Sequence, residues 1–255
     1  MNIAEKFLRL KSNNEMALIA YITCGYPSLS DSFNIIQKLI NNGVDIIELG
    51  VPFSDPIADG PTIQYSTQVA LEKGIVLDEI FASASELTGG VPLVLMSYLN
   101  PILAYSKEKI FRNMNDAGIS GLIIPDLPVE ESLRLISNDE MQNISLIPMV
   151  APTSTDERIK FISEHARGFI YCVSSLGTTG MRTRLPDDLC DLVSKVKSCT
   201  PIPVAVGFGI SQPEQINQLI GHADGVVIGS RFIEAIRNKE DIDVLAKAFK
   251  KVTRR

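Results

Sequence analysis

The sequence is short of positive charge and of long apolar runs. It holds 24 Lys and Arg against 30 Asp and Glu, a formal net charge of −6, so it has no general attraction for a nucleic-acid backbone or an anionic membrane. No apolar stretch approaches the ~20 residues of a membrane span. The N-terminus carries Glu5, Lys6 and Arg9 where a signal peptide needs an apolar segment. We therefore expect a soluble, cytoplasmic protein that captures any anionic substrate with a few local groups.

Cysteine and histidine are also scarce. The four cysteines show no C-x-x-C spacing, which indicates reduced thiols and excludes a disulfide framework. His165 and His222 fall at a predicted helix end and just before a predicted strand, where we expect structural roles. Because no cluster of His, Asp and Glu stands out, the sequence predicts no metal site.

What the chain does contain is a repeated strand–loop–helix layout. Continuous apolar runs rich in β-branched residues are typical of buried parallel strands. Alternation with helices implies right-handed crossovers. The length of 255 residues suits one (β/α)8 barrel of about 250. The eight predicted strands span residues 18–22, 44–49, 92–98, 119–124, 145–150, 169–174, 203–206 and 225–228.

We therefore predict an α/β fold, a (β/α)8 TIM barrel that forms a single domain over residues 1–255. An extra N-terminal helix at residues 3–10 is expected to cap the bottom of the barrel. An open doubly wound sheet is the alternative, because the same alternation of strands and helices would also produce it.

Carboxylates are the best candidates for chemistry, because barrel active sites lie at the carboxyl ends of the strands. No lysine ends a predicted strand, so a Schiff-base mechanism lacks its nucleophile. A strand period of two places Val44, Ile46 and Glu48 on one face. Burial there would raise the pKa of Glu48 towards the range useful for acid–base catalysis. The alternative is a structural glutamate paired with an arginine or a backbone amide.

Two further acids, Asp55 and Asp59, lie in the loop that follows Glu48, and Asp126 follows the fourth predicted strand. The apolar residues of this loop at 51–53 and 57 are unusual for a solvated segment. Asp55-Pro56 and Asp59-Gly60-Pro61 are turn sequences, so either aspartate could simply hold the backbone.

Glycine loops follow the last two predicted strands, at residues 206–211 and 228–231. Barrels bind phosphate at these two places, where glycine lets backbone N–H groups approach and a helix N-terminus adds partial positive charge. The long polar segment 174–186 follows the sixth strand and suits a lid. A phosphorylated substrate is therefore expected.

These motifs together resemble the tryptophan synthase alpha subunit family over essentially the whole chain. The resemblance rests on Ile-Glu-Leu-Gly-Val-Pro-Phe-Ser-Asp-Pro-Ile-Ala-Asp-Gly-Pro-Thr-Ile-Gln at 47–64, on Pro-Asp-Leu-Pro-Val-Glu-Glu at 125–131, on Ser-Leu-Gly-Thr-Thr-Gly at 175–180 and on Gly-Phe-Gly-Ile-Ser at 207–211. It implies a cofactor-independent lyase of tryptophan biosynthesis, which performs retro-aldol cleavage of indole-3-glycerol phosphate to indole and glyceraldehyde 3-phosphate.

The resemblance also assigns roles to individual residues. Glu48 matches the acid–base residue, and Asp59 matches the carboxylate that binds the indole N–H and stabilises its developing positive charge. The expected indole pocket comprises Tyr21 (where phenylalanine is common in the family), Ile63, Tyr98, Tyr171 and Phe208. The expected phosphate site comprises the lid residue Thr179 with Gly180, Gly209, Gly229 and Ser230.

By the same resemblance, the partner is a tryptophan synthase beta subunit, in an α2β2 heterotetramer. Pyridoxal phosphate is then expected only in that beta subunit, and the apolar rim near residues 52–57 and 100–102 would face it. Two alternatives stay open: another phosphate-binding barrel enzyme of the same pathway, or a catalytically silent barrel that activates a partner.

Overall fold

The computed structural model describes residues 1–135, 143–173, 189–207 and 209–254. Its sheet consists of parallel strands, and almost every strand residue is buried. The continuous apolar runs of the sequence thus form the strands, as expected for a sheet covered by helices. The strands are β1 Ala17–Thr23, β2 Ile46–Gly50, β3 Leu93–Met96, β4 Ile119–Ile123, β5 Ser145–Leu146, β6 Met149–Val150, β7 Ile170–Val173, β8 Val204–Gly207 and β9 Gly225–Ile228.

The sheet closes into a barrel through the fifth predicted strand. The strand order is β5-β4-β3-β2-β1-β9-β8-β7-β6, and β5 and β6 are two halves of the predicted run 145–150. Pro148 lies between the halves and cannot donate a ladder hydrogen bond. The N–H of Ile147 donates to Leu122 O, and the N–H of Tyr171 donates to Pro148 O, each at 2.9 Å. Residues 145–150 therefore link β4 to β7 and close the ring of strands. The predicted (β/α)8 barrel is confirmed, and the alternative of an open sheet is wrong.

Helices surround the barrel and connect its strands. They are α1 Ile3–Ser12, α2 Leu29–Asn41, α3 Pro61–Glu72, α4 Leu77–Ser85, α5 Leu99–Tyr105, α6 Lys107–Asp116, α7 Val129–Leu135, α8 Asp156–His165, α9 Leu189–Cys199, α10 Ser230–Arg237 and α11 Ile242–Thr253, with a 3-10 helix at Pro213–Leu219. Across the described ranges, no helix combines the length and apolarity needed to cross a membrane.

Helix α1 covers the amino-terminal end of the barrel, as the sequence predicts. Its Phe7 ring packs against Phe169 with 5.7 Å between ring centroids. The buried Ile3 side chain lies close to Gly121 of β4, where an added Cβ would meet Ile3 Cδ1 at 2.8 Å. With this end closed by α1, the opposite end, formed by the carboxyl ends of the strands, is left for a site.

Candidate active site

One cavity brings together most of the residues predicted from the sequence. It lies at the carboxyl ends of the strands and encloses about 470 Å³, including its open mouth, a size suited to a small organic ligand. Eight of the predicted residues line it: Tyr21, Glu48, Asp59, Ile63, Tyr171, Gly209, Gly229 and Ser230. Thr179, Gly180 and Phe208 were also predicted, and they lie outside the described residues.

Glu48 points into this cavity from β2. Its side chain is buried, and among the residues that the structure describes no group forms a hydrogen bond with either carboxylate oxygen. A purely structural glutamate would pair with an arginine or a backbone amide, and no such partner of Glu48 is found in those ranges. Burial without a partner penalises the charged form and raises the pKa of Glu48 to about 8.

Asp59 reaches the same cavity from the loop before α3. Helix α3 begins at Pro61, a residue suited to a first helical position because it needs no N–H partner there. The preceding Asp59 is buried and its N–H donates to Pro56 O at 3.1 Å. Burial raises the pKa of Asp59 to about 6, and interaction with the Tyr98 hydroxyl partly offsets that rise.

The other two candidate carboxylates, Asp55 and Asp126, form local hydrogen bonds outside the cavity. Asp55 is exposed and accepts a hydrogen bond from Ser54 Oγ at 2.5 Å. Asp126 accepts a hydrogen bond at 2.9 Å from the N–H of Leu99, the first residue of α5. Neither lines the cavity, so Glu48 and Asp59 remain the candidate acid–base pair.

Tyr98, which the resemblance assigns to the indole pocket, is not among the residues that line this cavity. Its hydroxyl accepts a hydrogen bond from the N–H of Ala58 at 3.0 Å and interacts with Asp59. Its ring packs on Phe53, with 5.3 Å between centroids. Tyr98 therefore holds the loop that carries Asp59, because its ring and hydroxyl contact the loop at both ends.

A glycine-rich cradle lies near the two carboxylates. Gly209 has a φ of +93°, a conformation that favours glycine. Gly229 is the N-cap residue of α10, and Ser230 is the first residue of that helix. Exposed backbone N–H groups and the partial positive charge of a helix N-terminus suit an anion such as phosphate.

Two tyrosines, Tyr21 and Tyr171, form part of the cavity wall, and each packs over a glycine of the adjacent strand. A Cβ added at Gly50 would lie 2.2 Å from Tyr21 Oη, and one added at Gly207 would lie 2.1 Å from Tyr171 Oη. With Ile63 from α3, these rings give the cavity a flat apolar section suited to an aromatic ligand.

Three lining residues were not predicted: Met96, Ile210 and Val227. Met96 ends β3 and Val227 lies within β9, so the period-two alternation that selected Glu48 also applies to them. They were missed because apolar side chains carry no chemical signal. Within the described residues no group of three or more His, Cys, Asp and Glu side chains is arranged to hold a metal ion.

Comparison with known proteins identifies the family that this chain matches. A family model described as tryptophan synthase alpha chain matches residues 7–254. The tryptophan synthase alpha chain of Methanosarcina acetivorans is 47% identical over 253 residues, which cover 97% of this chain and 92% of that protein. That of Thermoanaerobacter sp. is 43% identical, with 97% and 96% covered.

Solved structures agree with the sequence comparisons. A structure of Mycobacterium tuberculosis tryptophan synthase superposes with a TM-score of 0.93 at 35% identity, and 99% of this chain and 98% of that chain are covered. Tryptophan synthase subunit alpha from Legionella pneumophila superposes with a TM-score of 0.88 at 31% identity, with 99% and 98% covered.

Proposed function

Because the chain belongs to the tryptophan synthase alpha-chain family, we propose that it cleaves indole-3-glycerol phosphate by means of two buried carboxylates, Glu48 and Asp59. The family reaction is a lyase step of tryptophan biosynthesis, a retro-aldol cleavage that yields indole and glyceraldehyde 3-phosphate. The observation that carries the assignment of residues is that both carboxylates line one cavity with pKa values on opposite sides of neutrality.

The order of the pKa values assigns the roles. With a pKa of about 8, Glu48 is mainly protonated at pH 7, whereas Asp59, with a pKa of about 6, is mainly ionised. Glu48 donates its proton to indole C3, and Asp59 stabilises the positive charge that forms on the ring nitrogen. The Glu48 carboxylate then accepts the proton of the glycerol hydroxyl. The bond between C3 and the glycerol carbon breaks, its electron pair neutralises the ring, and the glycerol carbon becomes an aldehyde.

The substrate's two ends match the two parts of the cavity. Gly209, Gly229 and Ser230 form the cradle for the phosphate, and the Tyr21 and Tyr171 rings with Ile63 enclose the indole. We propose that Thr179, Gly180 and Phe208 complete the site. The proposed reaction adds a proton to C3, removes one from the glycerol hydroxyl and breaks one carbon–carbon bond, so the mechanism requires no metal or organic cofactor in this chain.

We also propose a tryptophan synthase beta subunit as the partner, in an α2β2 heterotetramer in which only that subunit binds pyridoxal phosphate. Support comes from the rim of the cavity, where Ile57 in the Asp59 loop is 74% exposed and Leu103 in α5 is 55% exposed. Both segments follow strands at the cavity end of the barrel, and large exposed apolar side chains there suit a protein interface.

Release of indole from indole-3-glycerol phosphate by the purified chain, with and without a beta subunit, tests the proposal. We expect Glu48→Gln and Asp59→Asn to lower kcat by at least about a hundredfold, the usual contribution of one acid–base group. Binding of glycerol phosphate, followed by calorimetry, should stay close to wild type because neither carboxylate belongs to the cradle. Near-normal turnover in either variant would contradict that residue's role.

The same assay separates the alternatives. A different phosphate-binding barrel enzyme would release no indole under any condition. A silent barrel would release none either, yet it would still raise the activity of an added beta subunit. Wild-type indole release that depends on Glu48 contradicts both alternatives.

A further inference from the structure

The loop that carries Asp59 needs support from outside itself. Between β2 and α3, Ser54, Asp55 and Ile57 are exposed, and only its end at Asp59 and Gly60 is buried again. A catalytic group must be held within about 0.5 Å of its productive position, and rigid elements hold such groups better than loops do. Tyr98 supports the Asp59 side chain and the Ala58 N–H.

A second support reaches the backbone of Asp59. The side-chain amide of Gln64 donates a hydrogen bond from Nε2 to Asp59 O at 2.8 Å. The backbone N–H of Gln64 donates to Gly60 O at 2.9 Å in the first turn of α3. Gln64 thus fixes the peptide plane that follows Asp59, and with it the direction in which the carboxylate leaves the backbone.

Helix α3, which carries Gln64, is itself fixed to the barrel. The hydroxyl oxygens of Thr23 at the end of β1 and Ser66 in α3 are 2.7 Å apart, and both side chains are fully buried. Ser66 Oγ also donates to Ile63 O at 2.8 Å. Gln64 therefore projects from an element held by buried contacts, so its amide can act as a fixed reference for the loop.

The same helix contains a matched residue without this contact. Gln68 lies one turn after Gln64, and its amide donates to Glu72 Oε1 at 3.0 Å on the exposed surface. Both glutamines are therefore exposed α3 residues with hydrogen-bonded amides, and only the bond of Gln64 reaches the Asp59 loop.

From this geometry we infer that Gln64 is a positioning residue for Asp59 in the cleavage reaction, an inference that rests on the proposed role of Asp59. Gln64 does not line the cavity and acts through the Asp59 carbonyl. Its contribution should therefore be to kcat rather than to the binding of substrate.

The test compares Gln64→Met with Gln68→Met, since methionine keeps the length and helix propensity of glutamine but has no N–H donor. Indole release from indole-3-glycerol phosphate gives kcat, KM and the pH dependence of kcat/KM, and thermal melting reports stability. We expect Gln64→Met to lower kcat by about tenfold, the usual weight of one hydrogen bond in the transition state, with KM little changed. Gln68→Met should match wild type.

The pH profile provides a readout that a purely structural role would not change. In wild type the acid limb of kcat/KM should follow Asp59, whose pKa is raised to about 6 by burial. Without the Gln64 hydrogen bond, the Asp59 carboxylate should be better hydrated, which lowers its pKa. The acid limb of kcat/KM should therefore move to lower pH.

Two results would overturn the inference: a kcat for Gln64→Met equal to that of Gln68→Met, or a lower kcat with an unmoved acid limb. Asp59→Asn in the same assay distinguishes this failure from failure of the proposed function. If Asp59→Asn keeps its turnover, the role of Asp59 is wrong and the inference falls with it. If Asp59→Asn is inactive while Gln64→Met equals its control, only the positioning role is wrong.

Discussion

At the scale of single residues, two carboxylates in one cavity differ because their neighbours differ. Glu48 is buried with no hydrogen-bond partner among the described residues, whereas Asp59 interacts with the Tyr98 hydroxyl. Burial alone raises both pKa values, and a polar neighbour restrains only that of Asp59. The result is one protonated and one ionised acid at neutral pH, which is the pairing that proton donation and charge stabilisation require.

The buried Glu48 should cost stability at high pH. Its pKa is about 8 in the folded protein against an ordinary value of 4.5, so the folded state binds the proton more tightly. Stability then falls as pH rises from about 4.5 through about 8. We expect Glu48→Gln to raise the melting temperature clearly at about pH 9 and very little at about pH 4.5, because glutamine never ionises.

Thermal melting at the two pH values checks this expectation. Asp55→Asn serves as the control, because Asp55 lies in the loop that follows β2 and is exposed. The stability argument is wrong if Glu48→Gln changes the melting temperature by the same amount at both pH values.

At the scale of elements, neighbouring strands shape each other's ends. Strands β2 and β8 both end in glycine because a tyrosine from the adjacent strand packs across the position where a Cβ would stand. Each tyrosine ring thereby remains at the cavity wall. The glycine and the tyrosine form one unit, although they lie on different strands.

Gly50→Ala should therefore disturb the cavity. The new Cβ would lie 2.2 Å from Tyr21 Oη, so the ring, which lines the cavity, has to move. We expect a higher KM for indole-3-glycerol phosphate and a loss of about 1–3 kcal/mol in the free energy of unfolding, the usual cost of overpacking. Gly225→Ala is the control for KM, because its Cβ would also crowd a neighbour, Ala17 Cβ at 3.1 Å, but at the other end of the barrel.

Steady-state kinetics and urea unfolding measure both effects. A Gly50→Ala enzyme with the KM of Gly225→Ala would mean that the Tyr21 ring has room to move without entering the cavity.

At the scale of the whole molecule, a charge network joins the two ends of the chain beneath the barrel. Asp45 Oδ2 accepts hydrogen bonds from Leu18 N at 2.9 Å and from Lys250 Nζ at 2.8 Å. Lys6 of α1 lies 3.7 Å from the other carboxylate oxygen, and Glu15 lies 3.0 Å from Lys250. Helices α1 and α11 are thus connected to the first two strands at the end opposite the cavity.

Lys250→Met should separate stability from activity. Removing the main partner of the buried Asp45 leaves a poorly compensated charge, which costs about 3–5 kcal/mol in the free energy of unfolding. The cavity lies at the other end of the barrel, so kcat for indole release should stay unchanged below the unfolding transition. Lys251→Met, on the exposed face of α11, is the control for urea unfolding. A loss as small as that of the control would show that Lys6 alone compensates Asp45.

The sequence by itself determined the elements and the acid in the barrel. Apolar runs alternating with helical patterns predicted the strands, because a strand that is buried on both faces of a parallel sheet has apolar side chains along its whole length. The period of two placed Glu48 on the inner face, and the glycine loops indicated the cradle at Gly209 and Gly229. These features are local, so neighbouring residues along the chain are sufficient to reveal them.

Only the tertiary structure decided how these parts meet. It divided the fifth strand at Pro148 while keeping the ring closed, and brought the Tyr98 ring and hydroxyl against the loop that carries Asp59. It also produced the different pKa values of Glu48 and Asp59. Each of these depends on atoms that come from distant segments, and the contacts between them exist only once the chain is folded.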